Sequence, residues 1–298
     1  MKEKFPGYYK DDDLADVLRK KDVLIVLDSS VLCNLYGFHD EMWKAIVDMI
    51  DKKRDALWLP YSMALAYHRG IVTVLVNKIQ LLVSLKNRLL QTVDMLKCLP
   101  FSFPELQSYE TQSKVISDRL TREIAMIKQR GKKDSEIRER IAQLYEGKIG
   151  ISNSDSDPHS YKVTTYKNIT EADALSGNEN NADKPNNQKK TKVEDNNDVI
   201  LHTLIKLSKD KHKDILYVIS EPSDYWSVFI GKTSYGPNPE HQSYFNKSTF
   251  GNNFYCCPFA SFMQNLASSV GETLNAEIKS SLKRLSYGAV PQNDSTIL

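Results

Sequence analysis

VLIVLDSSVLCNLYGF (Val23–Phe38) is the stretch on which the fold turns. Val23–Leu27 is an unbroken apolar run. A half-exposed strand alternates apolar and polar residues, so a continuous run marks a strand covered on both faces, as in a parallel sheet. The run ends in a carboxylate, Asp28, followed by two serines before an apolar helical pattern resumes. An acid at that place has two physical explanations. It caps the next helix by accepting from its free N–H groups, or it is a ligand at the carboxyl edge of a sheet.

Working outward, residues 1–22 read as a short arm and one helix, with an Asp run at 11–13 suited to a helix N-terminus. A second helix is expected near Glu41–Lys52, where Met42, Ile46, Val47 and Ile50 share a face. ALWLP (56–60) reads as a second short strand closed by Pro60, and Ser62 to about Cys98 as a long helix broken or bent near Gly70. This strand–helix–strand–helix order predicts a parallel sheet with right-handed crossovers. Residues 105–150 form an insertion of charged helices, with a break at the basic KQRGKK (128–133). Residues 151–197 lose apolar periodicity and are Asn-, Lys- and Asp-rich, a composition that cannot bury enough surface to order itself. They are expected to be a disordered loop within one domain spanning 1–298. DVILHTLIKLSKD is then an amphipathic helix starting at Asp198. DILYVI (214–219) is a buried strand running into Glu221, with Asp224 three residues on. FYCCPF (254–259) is a last strand, followed by one closing helix.

The 298 residues are 41% apolar and carry 40 basic against 38 acidic side chains, so any nucleic-acid footprint must be local. Cys33, Cys98, Cys256 and Cys257 have no metal-ligand spacing and read as reduced, mostly buried thiols. The N-terminus has no apolar leader segment, and no run reaches about 18 apolar residues. The expectation is a soluble cytoplasmic protein without membrane contact. No glycine-rich phosphate loop is present, which speaks against an NTPase.

Ligands in open parallel sheets bind beyond the carboxyl ends of the strands. Asp28 and Glu221 fall at such ends, Asp198 starts the helix feeding the second strand, and Asp224 lies just past it. Gathered carboxylates repel unless a hard divalent cation joins them, and Mg²⁺ or Mn²⁺ takes oxygen ligands. Each acid also has an ordinary reading: Asp28 and Asp198 as helix caps, Glu221 and Asp224 as turn residues beside Pro222.

The ordered set of segments resembles the bacterial PIN-like domain family, a branch of the PIN nuclease superfamily. The resemblance rests on Asp28-Ser29-Ser30 followed by VLCNLY, on LWLPYSMALAYHRG (57–70), EGKIG (146–150) and DVILHTLIKLSKDKHKDILYVISEPSDYW, and on GKTSYGPNPE (231–240) and FYCCPFASFM (254–263). It implies a PIN-like three-layer α/β sandwich with a central parallel sheet and an inserted helical region. It also implies Mg²⁺- or Mn²⁺-dependent hydrolysis of phosphodiester bonds, in RNA more than in DNA. Asp28, Asp198 and Asp224 would be the metal ligands and Glu221 a further catalytic acid. Ser30 would stand where the family has Asn, within reach of Asp28, and Ala66 stands where the family has Glu. His68 and Arg69 would contact phosphate, with surface solvation as the plainer alternative. Tyr225 and Trp226 are candidates for base stacking or for the core. The functional expectation is an endoribonuclease, toxin-like or in phage defence. The alternative is a catalytically degenerate module binding RNA or a protein partner. The charged helices suit a partner helix or a homo-oligomer.

Overall fold

A computed structural model describes residues 13–98, 104–132, 134–150, 189–230 and 233–286. They fall into two compact units. One holds residues up to Tyr67, those from Arg140 to 150 and those from 189 onward; the other runs from His68 to Glu139. Most of the polar stretch expected as a loop, 151–188, lies outside the described residues.

In the first unit, β1 (Val23–Leu27) pairs in parallel with β2 (Asp214–Ile219), which pairs in parallel with β5 (Phe254–Pro258). All five residues of β1 are buried. Successive side chains point to opposite faces, so both faces of the sheet are covered, which makes the layers helix, sheet and helix. The α/β reading of the sequence therefore stands. Helix α3 (Asp40–Asp51) buries Met42, Trp43, Ile46, Val47, Met49 and Ile50 along one face. Helix α9 (Phe259–Ser269) buries Phe259, Phe262, Met263 and Leu266 and packs on α1 (Leu14–Arg19), α3 and β2. Each such side chain contributes about 1.5–3 kcal/mol by leaving water.

Several expectations are corrected. ALWLP is not a strand of its own. Arg54–Ala56 is a 3₁₀ turn, after which Leu57 bridges in parallel to Ile25 and Leu59 to Ile149 as isolated pairs. The segment still occupies a strand's place, on the side of β1 away from β2, where the Trp58 N–H donates to the Ile25 carbonyl at 3.0 Å. The long helix α4 (Tyr61–Lys97) runs through Gly70 without ending. After α6 (Glu136–Leu144), the helix read as starting at Asp198 begins at Lys189 (α7, Lys189–Lys211), so the last residues of the expected loop, 189–197, are helical. A hairpin of β3 (Ser227–Ile230) and β4 (Thr233–Pro237) leads into α8 (Pro239–Ser248). The closing helix is two helices, α9 and α10 (Ala276–Ser286).

Gly271 makes that last break. Its φ is +74°, and a Cβ there would meet nothing within 4 Å. Backbone conformation alone therefore requires glycine. Gly271→Ala is expected to lower stability by about 1 kcal/mol, read as a shifted urea midpoint with unchanged slope.

The second unit contains a helical hairpin of the later part of α4 and α5 (Leu106–Arg130). A Cβ on Gly131 would come within 2.9 Å of Leu75 Cδ1, Lys86 Nζ donates to Thr121 Oγ1 at 3.0 Å, and Lys97 pairs with Glu110 at 2.9 Å. Eleven residues forward on α4 match ten or eleven backward on α5, the register of an antiparallel two-helix seam. Leu75 and Val93 line it from α4, and Ser113, Ser117 and Ile127 from α5.

Cys33, Cys256 and Cys257 are buried free thiols, whereas Cys98 is exposed. Burial, with a smaller push from the Asp28 carboxylate, raises the Cys33 thiol to about 12, and burial also raises Cys256 and Cys257.

Candidate functional site

Topology singles out Asp28. From β1 the chain first passes to the 57–59 side of the sheet, and later returns to β2 on the other side. The strand order thus reverses at β1, and the crevice at such a reversal, beyond the carboxyl ends, is where open α/β sheets bind ligands. Asp28 is the first residue past the carboxyl end of β1.

The capping explanation holds, at the carboxyl edge of the sheet. Asp28 is the N-cap of α2 (Ser29–Asn34): Oδ1 accepts from the Ser30 N–H at 2.7 Å. The same oxygen accepts from the Ser30 hydroxyl at 2.5 Å, the bond foreseen for the serine that stands in the family's Asn position. Oδ2 accepts from the Tyr217 hydroxyl at 2.5 Å. A carboxylate has about four lone-pair sites, so Oδ2 keeps one open. Tyr217 is 1% exposed, and a buried phenol needs that acceptor. Burial, and next the Asp28 charge, raise its pKa well above the ordinary value, so the hydroxyl keeps its proton and donates. Where α2 ends, the Asn34 amide donates to Ser220 Oγ at 2.7 Å, tying the helix to the residue that follows β2.

Asp198 lies inside α7, with its side chain exposed. It is therefore not a helix cap. Its Oδ1 accepts a hydrogen bond from the Tyr225 hydroxyl. The Tyr225 and Trp226 rings meet edge to face at 4.8 Å between centroids, and Trp226 meets Tyr217 at 4.9 Å. Asp28 and Asp198 are thus the two ends of one chain of contacts, Asp28–Tyr217–Trp226–Tyr225–Asp198. Trp226 is 5% exposed, which gives it to the core and not to base stacking. The Tyr225 ring is half-buried against Trp226 and His241.

Glu221 and Asp224 are exposed in the turn after β2. Partial burial raises the Glu221 carboxyl above its ordinary value. Among the described residues no three His, Cys, Asp or Glu side chains converge on a point that could hold a metal ion. The donors remain hard oxygens, which suit Mg²⁺ or Mn²⁺, and Mg²⁺ usually keeps several waters and binds through one or two carboxylates. The chemistry of Asp28 and Asp198 fits such an ion, without a closed cage.

Ala66 is exposed on α4. The next residue, Tyr67, is fixed by its hydroxyl to that of Tyr36 at 2.9 Å, and its carbonyl accepts from the Cys33 thiol at 3.6 Å. Cys33 in turn feels the Asp28 carboxylate. His68 and Arg69 are exposed residues of the second unit.

A family model described as PIN like domain matches residues 24–241. The chain belongs to the PIN-like domain family. No curated protein and no solved structure gives a significant match. This PIN-like domain is accordingly of a nuclease-type superfamily, whose members generally depend on a divalent metal and bind nucleic acid. Among the described residues no helix is long and apolar enough to cross a membrane.

The sequence reading of this PIN-like domain missed the residues that hold its acids. Tyr217 sits in an apolar run and reads as core; its one signal is a polar tip one strand away from Asp28. His241 was also missed. Its Nε2 donates to the Tyr225 carbonyl at 2.8 Å, and its ring lies 4.4 Å from that of Tyr225. Burial lowers its pKa, more than its bond to that carbonyl and nearby Asp198 raise it. Between the ordinary imidazole pKa of about 6.5 and the lower folded value, the unfolded chain binds the extra proton. Stability is therefore expected to fall as pH drops from 7 through 6. Melting curves at each pH should show a shallower fall for His241→Gln, whose amide can still donate to that carbonyl.

Proposed function

We propose that this protein is a metal-dependent nuclease that hydrolyses phosphodiester bonds in RNA, with Asp28 as its central acid. What supports this most is Asp28 at the point where strand order reverses, its carboxylate oriented by Ser30 and Tyr217 and linked through Trp226 and Tyr225 to Asp198. Asp28, Asp198 and Asp224 would hold Mg²⁺ or Mn²⁺ partly through the ion's own waters, since they do not converge on one point, and Glu221 is a further proposed catalytic acid. When bound, such an ion supplies an activated water and offsets phosphate charge. The chain's own part is orientation. Two tyrosine hydroxyls hold one carboxylate oxygen each, and the ring of Trp226 fixes the tyrosines. His68 and Arg69 are proposed phosphate contacts, and the basic KQRGKK a backbone guide. A toxin-like or phage-defence role in the cytoplasm belongs to the same reading, on the strength of the resemblance.

A second reading has a specific observation behind it. Alanine at position 66 and the lack of a three-acid convergence favour a catalytically degenerate PIN-like module that binds RNA or a protein partner. One experiment separates them. Labelled RNA and DNA are incubated with the protein in Mg²⁺, Mn²⁺ or EDTA. The nuclease reading expects cleavage of RNA that EDTA stops. RNA bound but uncut in every buffer supports the degenerate module and sinks the nuclease.

A further inference from the structure

One turn beyond Asp198 on α7 stands His202, facing Tyr244 on α8. The Nδ1–H of His202 donates to the Asp198 carbonyl at 2.8 Å. A carbonyl can only accept, so this bond places the ring proton on Nδ1 and leaves Nε2 as an acceptor. The Tyr244 hydroxyl lies 3.4 Å from Nε2, and the two rings meet edge to face with centroids 6.2 Å apart at 77°. His202 is thus pinned by the backbone of Asp198 and braces the tyrosine from its edge. The polar contact is at the hydroxyl end of the tyrosine, and Tyr244 is 47% exposed.

Among the described residues, the other aromatics near Asp198 are committed. Trp226 is in the core, and the Tyr225 hydroxyl is spent on Asp198 while its ring lies against His241. Phe250, the other largely exposed aromatic described in the first unit, lies close to the residues that lead into β5, at the amino end of the sheet. Among the described residues, Tyr244 is therefore the open aromatic surface beside Asp198. Every base has a π-face, so a rigid exposed ring beside a backbone-binding site is how proteins take single-stranded nucleic acid without reading its sequence.

We propose that Tyr244, braced by His202, is the stacking surface for an unpaired base of the RNA strand next to Asp198. This rests on the nuclease reading of the Asp28–Asp198 site and adds the requirement that the strand be unpaired there. The test is fluorescence anisotropy with a 5′-labelled single-stranded RNA 12-mer, in EDTA and in Ca²⁺, on the full chain. Circular dichroism melting checks that each variant folds. Tyr244→Ala is expected to weaken binding about tenfold, in the range of one lost stack. Tyr244→Phe, which keeps the ring, should bind within about twofold of wild type. His202→Ala should fall between them, because the ring loses its brace. Equal affinity for Tyr244→Ala and wild type overturns the proposal and leaves the nuclease reading standing. A loss in Tyr244→Phe as large as in Tyr244→Ala also overturns it, since the hydroxyl and not the ring face would then matter. Wild type that binds no RNA in either buffer overturns both this proposal and RNA as the substrate.

Discussion

Asp28→Asn is expected to leave a folded protein that has lost at least about 10²-fold in cleavage rate, or ~2.7 kcal/mol of transition-state stabilisation. The amide has one carbonyl oxygen, which can accept from the Ser30 N–H or from the Tyr217 hydroxyl but not from both sides, so one of these donors loses its acceptor, at about 1–3 kcal/mol. What disappears is the negative charge and one hard oxygen. Asp28→Ala differs in kind. It removes the N-cap, at about 1 kcal/mol. It also leaves the Tyr217 hydroxyl buried without an acceptor, at about 1–3 kcal/mol. The alanine variant should therefore be both inactive and ~2–4 kcal/mol less stable by urea unfolding, whereas the asparagine variant should be inactive and less stable by about 1–3 kcal/mol, since it keeps one of the two acceptors. Cleavage at the wild-type rate by Asp28→Asn would remove Asp28 from the chemistry and return it to its role as a helix cap.

Ala66→Glu is expected to act in the opposite direction and raise the cleavage rate by roughly tenfold or more. Position 66 is exposed on a helix, where glutamate is a good helix former, so stability should change by less than about 0.5 kcal/mol. Its place relative to the site comes through its neighbour: Tyr67 is held by Cys33 and Tyr36, and Cys33 lies within the field of Asp28. Initial rates and a Mn²⁺ titration by calorimetry read the effect together. A tighter ion with a faster rate identifies position 66 as the missing acid. Unchanged affinity and rate would mean that the site works, or fails to work, without it.

The parallel sheet was legible because burial on both faces leaves a mark that period-2 strands do not. Val23–Leu27 and Ile215–Ile219 are apolar at every position, and one register relates them. The 57–59 segment was legible as extended chain but not as a pair of lone bridges, since bridge length depends on the neighbours. Gly70 misled because one glycine costs a helix only about 1 kcal/mol, less than the packing that carries α4 through it. Gly271 was passed over because the apolar pattern continues on both sides of a residue whose φ only the backbone reveals. The early start of α7 was hidden by composition: the run at 189–197 is polar, and its helicity does not follow from an apolar face. As for the acids, Asp28 could be read from its place after a strand. Tyr217 could not, because a tyrosine in a strand counts as hydrophobic until its hydroxyl finds an acceptor; Tyr225 was legible as an aromatic but not as the partner of Asp198.

The α4–α5 hairpin has a mechanical consequence. Its two helices share a single seam, so its cohesion accumulates level by level along its length, as in a zipper. Three levels of the seam are marked, Lys97–Glu110, Lys86–Thr121 and Leu75–Gly131. The cost of opening therefore grows with the number of levels parted. The buried serines at 113 and 117 fill little volume, so the rungs near the far end hold by close approach of the helices more than by bulk. The resistance of such a hairpin to being pulled apart is a sum over its levels, and lengthening or shortening both helices together would scale it.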